Sequence, residues 1–153
     1  MSCLGLDIGA RRIGVAVSDP ATMMALPLTT LETGAGGELP LGRLRELIVE
    51  RGVEKIVVGL PLRLDGRSGP EARGAEAAAE ELRATLGVEV VLWDERLTSV
   101  EAERLLIEAG MSRRRRKGAT DRIAAALILQ GYLDRQRSGD GVDARPSRAR
   151  QPA

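Results

Sequence analysis

The stretch CLGLDIGARRIGVAVSD, residues 3–19, alternates bulky and small side chains along two segments of strand length. Leu4, Leu6 and Ile8 point to one face, and Cys3, Gly5, Asp7 and Gly9 to the other. The second segment repeats the pattern: Ile13, Val15 and Val17 are bulky, and Gly14, Ala16 and Ser18 are small. With the tight turn Gly9-Ala10-Arg11-Arg12 between them, strands at 3–9 and 12–18 form a hairpin. Asp7 then projects from the thinly covered face, with room beside it for something larger than a side chain. An unpaired carboxylate is costly to bury. Asp7 therefore needs a partner.

Outward from the hairpin, the sequence predicts a third strand near 26–32 and a helix over 39–51. Leu41, Leu44, Leu47 and Ile48 line one stripe of that helix, and Gly52 stops it. KIVVGL (55–60) is a short apolar strand of the kind buried on both faces of a parallel sheet. The loop PLRLDGRSG (61–69) leads to a helix at 71–86 that ends at Gly87, and VEVVLWD (88–94) is the next strand. Thr98 and Glu101 form a capping box opening a helix to about 109. SRRRRKG (112–118) is a loop by composition, and a last helix starts after Thr120 and runs to about 134.

The expected fold class is α/β. Three antiparallel strands precede a parallel, right-handed strand–helix–strand unit in one mixed five-stranded sheet flanked by helices. Its strand ends near Gly9, Leu60 and Asp94 share one edge, and open α/β sheets bind ligands at that carboxyl edge. Residues 1–134 make one domain, and 135–153 a disordered basic tail.

Composition narrows the chemistry. The chain of 153 residues has no histidine and one cysteine, Cys3. His-based triads, an internal disulfide, a cysteine-rich zinc site and His-ligated zinc are excluded. Carboxylates with a hard cation are left as the candidate chemistry. No run of about 18 apolar residues marks a membrane span, and no export leader is evident, so a cytoplasmic protein is expected. Residues 1–110 carry 12 basic and 18 acidic side chains, whereas residues 111–153 carry 11 and 4. Net charges of −6 and +7 hint at polyanion binding, or at a solubilising tail.

Two further acids converge on the carboxyl edge. Glu95 follows the apolar strand, and Asp121 lies in the first turn of the last helix, on the stripe with Ala124, Ala125 and Ile128. Acids aimed at one another repel unless a cation sits between them. Each also has a purely structural explanation: Asp121 can favour a helix N-terminus, Glu95 can pair with Arg96, and Asp7 can accept from a backbone amide.

LGLDIGARRIGVAVSD, VVGLPLRLDGRSGPEA, WDERLTSVEA and the Lys117-Gly118…Asp121 segment with AALILQGYL together resemble the YqgF family, also called RuvX. These are small bacterial proteins of ribonuclease-H-like fold related to the RuvC Holliday-junction resolvases. The resemblance covers about residues 3–134. It implies that Asp7, Glu95 and Asp121 are catalytic metal ligands. It also implies a hydrolase, a metal-dependent endonuclease maturing the 5′ end of 16S rRNA in ribosome biogenesis. Resolution of four-way DNA junctions in recombination and repair is the alternative. The Arg113–Arg116 run is more basic than the family's usual loop, and the tail after Asp134 has no family counterpart.

Hard carboxylate oxygens suit Mg²⁺ or Mn²⁺, which keep several waters and accept substrate phosphate oxygens. Two ions roughly 3.5–4 Å apart would activate the attacking water and stabilise the departing 3′ oxygen. Arg11 and Arg12 at the hairpin tip, Arg63 and Arg67 in the 61–69 loop, and Arg113, Arg114, Arg115, Arg116 and Lys117 are the candidate phosphate contacts. Arg96 braces the neighbouring acids, and Asp94 is a weaker candidate ligand than Glu95. Trp93 and Tyr132 are the only aromatic residues. Structured RNA or branched DNA, read by backbone and shape, is thus the expected partner, and no membrane. A resolvase would be a homodimer, whereas a single-cut ribonuclease would work as a monomer. A sugar-kinase-like ATPase, which needs two such domains, and a non-catalytic nucleic-acid-binding module are the competing readings.

Overall fold

The computed structural model describes residues 2–97 and 120–138. β1 (Ser2–Ile8) and β2 (Arg12–Ser18) form the hairpin that the alternation predicts, with Leu6 opposite Val15 and Asp7 opposite Gly14. The Gly9 N–H donates to the Arg12 carbonyl at 2.9 Å and closes the turn. β3 (Ala25–Glu32) adds antiparallel to β2, with an irregularity between Val15 and Ala16. Its Pro27 is tolerated because β3 ends the sheet.

α1 (Leu41–Arg51) buries Leu44 and Leu47 and ends at Gly52, whose φ of 61° is left-handed. That glycine turns the chain directly into β4 (Val53–Leu60), which starts two residues earlier than expected because no connecting loop is needed. β4 runs parallel to β1. α2 (Pro70–Leu86) opens on a proline at its first position and stops at Gly87 (φ 70°). β5 (Glu89–Asp94) pairs parallel with β4, setting Asp94 beside Leu60, and one 3₁₀ turn, Glu95–Leu97, follows. The sheet order is β3-β2-β1-β4-β5, the predicted mixed sheet. The helix expected at 98–109 and the 112–118 loop lie outside the described residues.

Two apolar layers cover the sheet. On one face Leu4, Leu6, Ile13, Val15 and Val17 pack with Leu44, Leu47, Ala75, Ala79 and Leu82 of α1 and α2. On the other, Cys3, Ala16, Ala25, Val57 and Trp93 meet Ala125, Ala126, Ile128, Leu129, Tyr132 and Leu133 of α3 (Thr120–Arg137). The second layer corrects one expectation. Away from Asp7 the small residues of the hairpin leave no open room: at Gly5 they let α3 lie almost on the strand backbones. A Cβ on Gly5 would stand 2.7 Å from Leu129 Cβ and 2.9 Å from the Ala125 carbonyl oxygen.

Polar contacts fix α3 along its length. Buried Gln130 accepts from the Ala25 N–H at 2.8 Å and donates to Asp134 at 3.0 Å. Tyr132 OH accepts from Lys55 Nζ at 2.6 Å, and its ring meets Trp93 edge-on at 6.0 Å. Arg135 lies over Trp93, and Arg137 pairs with Asp134 at 3.0 Å. These contacts carry the helix through Arg137, three residues into the segment read as tail. Both aromatic side chains are buried in this layer, so neither is available to stack on bases.

Candidate active site

The site is built around Asp7, which has a glycine beside it on each neighbouring strand. Gly14 is its cross-strand partner on β2. Gly59 on β4 lies one residue beyond the Leu6–Val58 pair, on the same face as Asp7. Each glycine makes space for another acid. A Cβ on Gly14 would overlap the backbone carbonyl of Asp121, so the first turn of α3 rests directly on β2. A Cβ on Gly59 would stand 2.6 Å from Glu95 Oε2 and overlap the tip of Ile128. Three acids from β1, the turn after β5 and the start of α3 are thereby drawn to one sheet edge. They are Asp7, Glu95 and Asp121.

Their electrostatics record the crowding. Burial, and then the negative charge of Asp121, hold the Asp7 carboxyl above its ordinary range. Burial, followed by Asp7 and Asp94, pushes Glu95 up to about 7. Among the described residues neither the Asp7 nor the Glu95 carboxyl has a hydrogen-bonding or cationic partner. The partner expected for Asp7 is thus no side chain of the described protein; its neighbours are acids. As the side chains stand, no group of three or more acids among the described residues encloses an ion position. The site is a like-charged cluster at an edge rather than a closed cage.

The arginines divide by role. Arg96 does not pair with Glu95; it grips Asp94, with Nη2 at 2.7 Å and Nε at 3.0 Å, and its Nη1 donates to the Leu64 carbonyl at 3.3 Å. It therefore ties the 61–69 loop to the end of β5, as the bracing role implies, and leaves Glu95 unneutralised. Arg12 lies at the hairpin tip as expected, but its Nε donates to Asp121 Oδ2 at 2.9 Å. Arg11, Arg63 and Arg67 are exposed. Arg63 and Arg67 are held by the backbone of their own loop, the Arg63 N–H donating to the Arg67 carbonyl at 2.9 Å. Arg113–Arg116 and Lys117 lie outside the described residues.

Reading the sequence alone misses the two glycine seats and the Arg12–Asp121 pair. Gly59 carries a signal, since a glycine inside an apolar central strand marks a close approach by another group. The Arg12 pair carries none: 109 residues separate its partners.

A mixed sheet of this order with acids gathered at its carboxyl edge defines a ribonuclease-H-like α/β protein with an acidic centre. By its match over residues 1–135 to the family model described as "RuvX: Holliday junction resolvase", the chain belongs to the RuvX family. A relative from Listeria monocytogenes is 46% identical over 135 residues, covering 88% of this chain and 98% of that one. One from Bacillus cytotoxicus is 47% identical over the same shares. Both bear, provisionally, the name pre-16S rRNA nuclease. The fold is similar to that of Thermus thermophilus RuvC (TM-score 0.62, 15% identity, 92% of this chain and 98% of that one). It is also similar to T. thermophilus RuvC in complex with a Holliday junction substrate (TM-score 0.60, 15% identity, 92% and 97%). Among the described residues no helix is long and apolar enough to cross a membrane.

Proposed function

We propose that the chain is a divalent-metal-dependent endonuclease that hydrolyses phosphodiester bonds, acting in 5′-end processing of pre-16S rRNA. The observation that supports this most is the convergence of Asp7, Glu95 and Asp121 from three separate elements onto one edge, two of them with raised carboxyl pKa values. A structural protein gains nothing from this repulsion, whereas a hard cation relieves it. The donor set fits Mg²⁺ or Mn²⁺, which bind through one or two carboxylates and complete their shell with water and substrate oxygens. An open edge suits that better than a closed cage. Asp7, Glu95 and Asp121 would hold the ions, which supply an activated water and charge stabilisation at the departing 3′ oxygen.

The chain's own groups do the rest. Asp7, which projects from the central strand between Gly14 and Gly59, would hold its ion at a fixed place on the sheet edge. Glu95 must be deprotonated to ligate. Arg11, Arg63 and Arg67, with Arg113–Arg116 and Lys117, hold flanking phosphates as point charges on exposed loops. Such contacts read backbone and shape, in keeping with a buried Trp93 and Tyr132. The nuclease domain extends to the end of α3 at Arg137, the basic segment after it adds charge for substrate, and the work is done in the cytoplasm.

The second reading, cleavage of four-way DNA junctions, draws support from the family's description and from the likeness to RuvC. It requires two active sites and hence a homodimer, whereas a single-cut ribonuclease works as a monomer. A cleavage assay comparing a precursor-rRNA 5′ segment with a four-way DNA junction, in Mg²⁺ and in Mn²⁺, separates the two. The ribonuclease reading predicts metal-dependent cuts in the RNA and an intact junction.

A further inference from the structure

Arg12 is bound to the acid that the proposed reaction needs free. Its Nε donates to Asp121 Oδ2 at 2.9 Å, and this is the one cationic contact to any of the three site acids among the described residues. Its backbone is anchored, because the Arg12 carbonyl accepts from the Gly9 N–H across the turn. The side chain is 62% exposed, against 31% for Asp121, and its terminal nitrogens have no partner among the described residues. A guanidinium in this position repels any cation approaching the same carboxylate oxygen.

We propose that Arg12 is a built-in counter-cation that competes with the divalent ion for Asp121. It neutralises the carboxylate in the ion-free protein and must release Oδ2 for the ion to be ligated. The proposal rests on the reading of Asp121 as an ion ligand. Geometry favours a swap over a permanent bridge. The Asp121 main chain rests against Gly14, so the start of the helix cannot shift to separate the carboxylate from Arg12. Arg12, in contrast, hangs from a hairpin tip with a long stem in solvent. Once released, its guanidinium stays at the same sheet edge, where a substrate phosphate can take it up bidentately. An exposed pair of this kind is weak enough for an ion to displace, and its removal should shift the ion's affinity by about two- to five-fold.

The test is calorimetric titration of Mn²⁺ into the full chain without nucleic acid, so that no cleavage readout is involved. Arg12→Gln should bind Mn²⁺ about two- to five-fold more tightly than the unmutated protein, and Arg12→Met, which keeps the stem, should do the same. Arg11→Gln removes an equal charge one residue away, from a side chain that touches none of the acids, and should change affinity less. Affinity that is unchanged or weaker in both Arg12 variants overturns the proposal. So does an equal gain in Arg11→Gln, which would reduce the effect to net charge. Asp121→Asn is the separate control on the underlying reading. If it binds Mn²⁺ like the unmutated protein, Asp121 is not a ligand and the competition falls with it.

Discussion

Gly14 lies directly beneath the first turn of α3, so close that a Cβ on it would overlap the Asp121 carbonyl oxygen, and its cross-strand partner is Asp7. One glycine therefore sets the distance between two of the three site acids. The separation is held by backbone packing, which does not relax as a surface side chain would.

Gly14→Ala should be costly, because the obstacle is main chain and α3 must lift. Overpacking of this kind destabilises by about 1–3 kcal/mol, and cleavage should disappear with the displaced Asp121. Gly59→Ala meets only the ends of Ile128 and Glu95, so it should cost less stability while still dislodging Glu95. Gly74→Ala, inside α2 with open space around it, should stabilise by up to about 1 kcal/mol. Urea denaturation of the three variants checks this order.

The raised Glu95 pKa predicts how the ion-free protein responds to pH. The folded state favours the protonated carboxyl, so it binds more protons than the unfolded chain between the ordinary value of 4.5 and about 7. Stability contributed by protonated Glu95 is complete below that window and is lost as pH rises through it. Asp7, also raised, acts in the same direction. The melting temperature in chelator should therefore fall from pH 5 to pH 7.5, and Glu95→Gln should flatten the slope. A melting temperature that rises across this range would show that Glu95 is not held in the repulsive cluster.

The sheet is legible from residues 3–19 outward because alternation, apolar strands and the glycine stops at 52 and 87 are local signals. That Asp7, Glu95 and Asp121 come near one another is legible as well, Asp7 from its misplaced charge, Glu95 from its place just past an apolar strand and Asp121 from its position on a packing stripe. What the small face of the hairpin is for is legible only in part: the alanines of the last helix point to close packing on the sheet, but not to where on the hairpin it falls. Small residues that admit a helix and small residues that leave a cavity look the same in sequence, and only the packing of Leu129 and Ala125 on Gly5 distinguishes them. The pairing of Arg12 with Asp121 is likewise hidden, since a contact between distant segments leaves no periodicity.

Asp121→Asn separates a ligand from a helix-terminus residue. If Asp121 only complemented the dipole of α3, the change would cost at most about 1 kcal/mol and leave activity nearly intact. As a ligand, its removal should cut the rate by orders of magnitude and raise the Mn²⁺ concentration needed for half activity. A Mn²⁺ titration of activity beside a thermal melt of the same variant reads both quantities.

Replacing Arg113, Arg114, Arg115 and Arg116 with serine should weaken substrate binding with little effect on folding. Binding to phosphate is independent of sequence and sensitive to salt. The slope of log affinity against log salt should become shallower by about 0.9 for each duplex phosphate that the variant no longer neutralises. A slope that does not change assigns the run to solubility.

Asp7 is proposed to organise the metal-dependent cleavage centre, and Asp7→Asn tests this most directly. Asparagine keeps the shape and removes one charge from a crowded acidic cluster, so the ion-free variant should melt at the same temperature as the unmutated protein or higher. Cleavage of the precursor-rRNA segment in saturating Mn²⁺ should nevertheless disappear. Cleavage near the unmutated rate, from a variant that melts normally, would contradict this role, because the acid seated between Gly14 and Gly59 would then have no part in the reaction.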